Sequence, residues 1–306
     1  MLKRVVFYLK KADKDSKYDV KMEKNCYLCI KFTTESNMDV KKVLFISQEI
    51  APYVPERRLS QIGRILPQGI KEQGIEERTF MPKYGMIAER SNQLHEMIRL
   101  SGMNVIIDDT DHPLIIKVAT LQQAHFQVYF IYNEDYFASS RIDELEMNCS
   151  IEDNDERSMF FVRAVIESIR KMRWIPDIIQ CTGWISALAP VYIRTLYGDD
   201  PSFRDAKIVT ALFNEQLPAP LDVRLSEKMR QDGLPKSALK AIAGKELSYD
   251  ELMAYSLKYS DAVITCEPGV SDTVLEAAAS LPKLEFIDDD VDGVNKVTQF
   301  YSSLFD

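Results

Sequence analysis

Two hydrophobic rhythms alternate along this chain. Short continuous apolar runs are separated by stretches in which apolar residues recur every three or four positions. The first run, Val43-Leu44-Phe45-Ile46-Ser47, follows Lys41-Lys42 and reads as a buried strand. A loop leads to a helix over Leu59–Gln73, closed by Gly74, and Glu77–Met81 is a second strand ending at Pro82. Val105–Ile107, Ile115–Val118 and Val128–Ile131 follow with no helical segment between them, which predicts an antiparallel insertion. The acidic turn Asp108–Pro113 separates the first two of these.

The second half repeats strand and helix more regularly. Ser158 is expected to cap a helix running through Trp174, with Phe161, Val165, Ile169 and Met172 on one buried stripe. Pro176 follows it, and Asp177-Ile178-Ile179-Gln180 reads as a short buried strand. Ala187–Tyr197 is a helix closed by Gly198, and Ile208–Phe213 is the next strand. Residues 215–248 read as loop and short helices. Asp250–Tyr259 is helical, Ala262–Cys266 is a strand, and Val270–Ala279 starts a further helix. This alternation predicts an α/β fold: a Rossmann-like, mainly parallel, doubly wound sheet with a small β insertion. Ligands of such sheets lie beyond the carboxyl ends of the strands, so the loops after Ile46, Ile179, Phe213 and Thr265 define the expected cleft.

Residues 1–37 lack either rhythm and carry nine Lys or Arg against five Asp or Glu. Met38 is therefore expected as the functional start, with 1–37 an N-terminal extension and 38–306 the Rossmann domain. Peptides from before Met38 in the native protein would overturn this.

The net charge of -9 argues against nucleic acid as a partner. Five dispersed cysteines, Cys26, Cys29, Cys149, Cys181 and Cys266, fit a reduced compartment better than a disulfide framework. Cys26 and Cys29 form a lone C-x-x-C with no second ligand pair, an incidental spacing. No apolar run approaches the roughly 20 residues a membrane helix needs, and no signal peptide is evident. A cytoplasmic protein without membrane partner is expected.

Several segments, in order, resemble the starch and glycogen synthases of bacteria. Phe45-Ile46-Ser47-Gln48-Glu49-Ile50-Ala51-Pro52 resembles that family's first strand and loop, and Leu66-Pro67, Gly74 and Pro82-Lys83-Tyr84-Gly85 fall where it has its "LP", "G" and "P-x-Y-G". Val128-Tyr129-Phe130-Ile131 with Tyr136-Phe137 continues the likeness. So do Asp153-Asn154-Asp155-Glu156-Arg157 with Phe161 and Ala164, and Trp174-Ile175-Pro176-Asp177-Ile178-Ile179. Trp184 with Ala187-Leu188-Ala189-Pro190, Asn214, and Ser260–Pro268 complete it, over roughly residues 40–280. The resemblance implies half of a GT-B arrangement, in which two Rossmann domains flank a cleft. It also implies glucosyl transfer from ADP-glucose to an α-1,4-glucan, with most of the acceptor surface on this first domain and no cofactor.

The sequence departs from the family pattern where the chemistry is concentrated. In the "K-x-G-G" loop that reaches the donor phosphates, the lysine falls at Pro55, the glycines at Arg57 and Arg58, and a following aspartate at Gln61. Arginine side chains fill the space that glycines leave for a phosphate to approach the backbone. Their guanidinium forks are themselves an anion-binding chemistry, although adjacent arginines also occur in solvated loops. The family's "H-D-W-H-T" reads Thr182-Gly183-Trp184-Ile185-Ser186, and its "H-N" reads Phe213-Asn214. Each lost donor aimed at developing charge costs a factor of about 100–1000. After Pro268 only 38 residues remain, so a C-terminal donor-binding domain is expected to be absent from this polypeptide.

Other constellations are weaker. Asp108-Asp109-x-Asp111-His112 has ligand types suited to a divalent cation, but it lies in a connecting turn where Asp serves the backbone. His95 and His125 are isolated, and Asp288-Asp289-Asp290 reads as a solvated turn. Glu49 ends the first strand inside the expected cleft and lacks a paired acid or base. The cleft and substrate-binding candidates are thus Glu49, Arg57, Arg58, Thr182, Trp184, Asn214 and Glu215, with no catalytic residue assigned and no metal. Two readings follow. One is a synthase-like glucosyltransferase domain, weak or inactive alone and completed by a donor domain or partner chain. The other is a non-catalytic glucan- or protein-binding module. An exposed apolar patch beside the cleft would favour a partner.

Overall fold

The computed structural model describes residues 40–121, 126–138, 152–217, 219–285 and 291–306. The chain opens with β1 (Lys42–Ser47), α1 (Arg58–Glu72) and β2 (Glu76–Pro82). Next come β3 (His95–Glu96), β4 (Met103–Ile107), β5 (Thr110–Leu121), β6 (Phe126–Tyr132) and α2 (Glu134–Phe137). The second half holds α3 (Asn154–Met172), β7 (Ile178–Thr182), α4 (Ala189–Leu196) and β8 (Lys207–Leu212), then α5 (Leu225–Gln231), α6 (Lys236–Leu239) and α7 (Tyr249–Leu257). It closes with β9 (Ala262–Thr265), α8 (Asp272–Ala277), β10 (Lys283–Glu285) and α9 (Val291–Ser303).

One sheet organises these elements, in the order β10-β9-β8-β7-β1-β2-β6-β5-β3. Pairing is parallel from β10 to β6, and β6–β5 and β5–β3 are antiparallel. From Val43 onward, the central strand β1 is buried at every residue, as a continuous apolar run between two parallel neighbours requires. Helices α1 and α9 pack on each other, and α3 packs on α4 and α5. The mainly parallel α/β sheet flanked by helices is as the hydrophobic rhythm predicts.

The antiparallel strands are arranged differently from a separate insertion. β6 runs parallel to β2, so it belongs to the main sheet, and β5 extends that sheet by pairing with it. Only β4, which pairs with β5, lies off this path. The Asp108–Asp109 turn between β4 and β5 has positive φ at both residues, 42° and 67°, the conformation of a two-residue hairpin. Backbone demand therefore accounts for the aspartates. Asp108 pairs with Arg224, and His112 bonds Asp135 and the Tyr136 hydroxyl.

Helix α3 starts four residues before Ser158, behind Asp153. Ser158 is interior to the helix, and its hydroxyl donates to the Ile185 carbonyl. The helix is also buried on more than one stripe, because Phe160, Val162 and Ile166 are covered along with Phe161, Val165 and Ile169. It ends at Arg173, in the left-handed conformation (φ 53°), ahead of Pro176. The helix expected from Ala187 is split into a 3-10 turn, Trp184–Ser186, and α4. β10 and α9 were not anticipated. β10 has three residues, too few for a periodic signal, and α9 follows the acidic run.

No helix among the described residues is long and apolar enough to cross a membrane. Cys181 and Cys266 are buried free thiols. The N-terminal extension, Cys26, Cys29, Cys149, His125 and Asp288–Asp290 lie outside the described residues.

Candidate functional site

The carboxyl ends of β1, β7, β8 and β9 meet at one place, and the side chains there are unusually polar for so buried a position. Gln48 and Glu49 follow β1, and the Gln48 N–H donates to the Thr182 carbonyl at 2.9 Å, extending the pairing of β1 with β7. Glu49 is fully buried, and Glu215, just beyond β8, is 7% exposed. Arg57 reaches both. Its Nε donates to Glu49 Oε2 at 2.5 Å, its Nη2 bonds Glu49 Oε1, and the same Nη2 lies 3.1 Å from Glu215 Oε1. The Gln48 amide ties the carboxylates together from the other side, 2.9 Å from Glu215 Oε1 and 3.3 Å from Glu49 Oε1.

The local sequence dictates this closeness. Gly63 of α1 has no side chain because the Glu49 carbonyl oxygen would stand 2.1 Å from its Cβ. Gly183, with φ 83°, has Gln48 Cβ 2.5 Å from where a Cβ would be. Both glycines let backbone and Gln48 pack into space a methyl would fill. Ser60 Oγ accepts the Arg57 N–H at 3.0 Å, fixing Arg57 at the start of α1. The Tyr84 hydroxyl donates to the Gln48 carbonyl at 3.0 Å.

Electrostatics follow from burial. Burial pushes the Glu215 carboxyl up to about 7, with Arg57 working against that and Glu49 adding to it. Burial also works against the Arg57 charge, but its bonds to Glu49 and Glu215 outweigh this and hold its pKa above the ordinary arginine value. Glu215 Oε2 has no hydrogen-bond partner among the described residues. The arrangement is a cation clamped over two carboxylates, one of which takes a proton near neutrality.

The remaining candidates divide. Arg58 Nε donates to the Cys266 carbonyl at 2.9 Å, and the Asn214 N–H donates to Glu267 Oε1 at 2.6 Å, so both join the loop after β9. Asn214 is exposed, with its side chain against Gly269. Thr182 and Trp184 are 1% exposed, and the Trp184 indole belongs to the core rather than presenting a ring face to the cleft. Gln48 and Glu267 bond to members of this cluster and are not among the candidates named from the sequence. Gln48 adjoins Glu49 at a strand end, and Glu267 stands where the resembled "T-V-S-P" has its serine, so each carried a signal. Beyond β8 and β9 a cavity of about 450 Å³ is lined by Leu212, Thr265, Glu267, Gly269 and Leu275.

Residues 42–285 match the starch synthase catalytic domain. The chain belongs to that family. It is 32% identical over 250 residues to the glycogen synthase of Chlorobaculum parvum, covering 80% of this chain and 49% of that protein. It is 36% identical over 174 residues to that of Chlorobium chlorochromatii, covering 56% of this chain and 36% of that protein. The chain thus spans about half the length or less of these glycogen synthases. Its fold matches the catalytic domain of starch synthase IV from Arabidopsis thaliana, solved with ADP and acarbose. There the TM-score is 0.62 at 18% identity, covering 82% of this chain and 52% of that one. Within the family's GT-B catalytic fold, the Glu49–Arg57–Glu215 network lies at the strand ends where the sheet would meet a ligand.

Proposed function

We propose that this domain holds the α-1,4-glucan side of a glycogen-synthase-type glucosyltransferase and does not by itself move glucose from ADP-glucose. The observation that carries this reading is the placement of Arg57. Its backbone N–H is taken by Ser60 Oγ and its guanidinium by two buried carboxylates. A diphosphate approaching this loop would meet a guanidinium already neutralised by Glu49 and Glu215 instead of open backbone donors. An Arg57 that swung to a phosphate would leave Glu49 buried without its cation, which costs more than one surface contact returns. Arg58 is likewise held, by the Cys266 carbonyl.

A second reading has a donor-binding domain, packed beside this one, complete the enzyme. Leu275, 42% exposed, favours it, because it gives the cavity beyond β8 and β9 an uncovered apolar wall beside the cleft. The first reading is tested on the purified chain with glycogen. Co-sedimentation with glycogen and no transfer of label from ADP-glucose above a heat-killed control is expected. Incorporation of label would overturn the inactive assignment, and failure to sediment with glycogen would overturn the glucan assignment.

A further inference from the structure

A second cavity opens between α5 and α6, built from residues the glucan reading does not use. Its volume of about 560 Å³ is in the range of small-molecule sites. Arg230, Lys236 and Lys240 line it, with Ser226 and Ser237. Ser226 and Arg230 are four residues apart on α5, as are Lys236 and Lys240 at α6, so each pair shares one side of its helix.

Charge singles this hollow out. Glu227 is the one carboxylate in its lining, and Glu227 faces Arg224 at 3.6 Å. Arg230, Lys236 and Lys240 have no ion-pair partner among the described residues. Cations at and just before α5 behave otherwise: Lys228 holds Asp155 and Glu156, and Arg224 holds Asp108. Three cations without an ion pair around one concavity, in a chain of net charge -9, concentrate positive field at that concavity. The rim stays open at Gly244, where φ is 67° and no atom lies within 4 Å of a Cβ position.

We propose that this cavity binds a phosphate monoester carried on a small polyhydroxylated molecule, a sugar phosphate by chemical class. Arg230 offers a planar fork for two phosphate oxygens, and the two lysines supply point charges. The serine hydroxyls and the short wall of Leu239 and Ala243 suit the hydroxyls and ring face of a sugar. No aromatic side chain lines the cavity, so a nucleobase would find nothing to stack on.

Calorimetric titration of the full chain at fixed ionic strength tests this, using glucose 1-phosphate, inorganic phosphate, glucose and adenosine monophosphate. Saturable binding of glucose 1-phosphate is expected, weaker binding of inorganic phosphate, and none of glucose. Lys236→Glu and Lys240→Glu, both at exposed positions, are each expected to weaken binding about tenfold or more, the loss of one charge-assisted contact; Lys236→Arg is expected to retain it. Absence of saturable binding, equal binding by the charge-reversed variants, or tighter binding of the nucleotide than of the sugar phosphate would each overturn the assignment. Glycogen sedimentation is independent of all of these, so this site and the glucan reading stand or fall separately.

Discussion

Two buried charged networks sit in this domain, and they are built in opposite ways. At the strand ends, Arg57 reaches in from the rim, its side chain 38% exposed, over Glu49 and Glu215 beneath it. Between α3 and α5, the cation itself is inside: Lys228, 3% exposed, bonds Asp155 at 2.8 Å and Glu156 at 2.7 Å. The Tyr136 hydroxyl then joins Glu156 at 2.9 Å to His112 at 3.0 Å, and His112 joins Asp135. Each network leaves one carboxylate oxygen without a partner, Glu215 Oε2 and Asp155 Oδ1, so imperfect satisfaction does not distinguish them. The position of the cation does. A rim cation leaves its carboxylates open to a solvent-side group once it moves, whereas an enclosed one ties a hairpin, α2, α3 and α5 together and offers nothing to a ligand.

The contrast is most exposed to test at Lys228. Lys228→Met strands Asp155 and Glu156 and is expected to lower stability by about 3–5 kcal/mol in urea unfolding; a loss near zero would mean that the enclosed network holds nothing together. Next in size is the pH dependence of Glu215. Its carboxyl ionises near 7 in the fold against 4.5 in the open chain. The folded state therefore binds the proton more tightly, and the associated stability is full below pH 4.5 and lost as pH rises through about 7. At about 1.4 kcal/mol per unit the loss is roughly 3 kcal/mol. Glu77, Asp155 and Asp232 are raised by burial in the same sense, so the difference between wild type and Glu215→Gln isolates the residue. Urea curves at pH 5 and pH 8 should show the variant losing less; parallel curves would remove Glu215 as the titrating member.

Gly183→Ala comes third, at about 1–3 kcal/mol, since its φ of 83° and the Gln48 side chain both resist a methyl. Retained wild-type stability in a thermal scan would show that Gln48 can give way. The smallest effect is expected from Arg57→Lys, which keeps the charge and loses the fork, at about 1 kcal/mol. If it costs as much as Lys228→Met, the rim and the enclosed cation are not different in kind.

Much of the sheet was readable because parallel strands are written as continuous apolar runs. β1, β7, β8 and β9 each announced themselves that way. β6 misled because its neighbour in sequence, β5, is antiparallel, while its second partner, β2, lies some fifty residues back. No local period reports such a partner. The start of α3 was displaced because Asp153-Asn154-Asp155 looks like solvated loop, and only the tertiary bond from Lys228 explains an acidic first turn buried in the interior. At the candidate site, Glu49, Arg57 and Glu215 were named separately. What the sequence could not convey is that they touch, since Arg57 and Glu215 are 158 residues apart. Trp184, a cleft candidate by motif position, is buried among the core residues, about as fully as Glu49.

The central place of β1 has a consequence for how the chain is made. Lys42 pairs with Glu76 on one side, and on the other its N–H donates to the Asp177 carboxylate, 135 residues further along. A ribosome would release β1, α1 and β2 long before β7 exists, and the β1 edge would wait unpaired through the synthesis of everything between. Such distant pairing slows folding and leaves a hydrophobic strand open to other chains, so the early product should depend on chaperones more than its finished stability suggests.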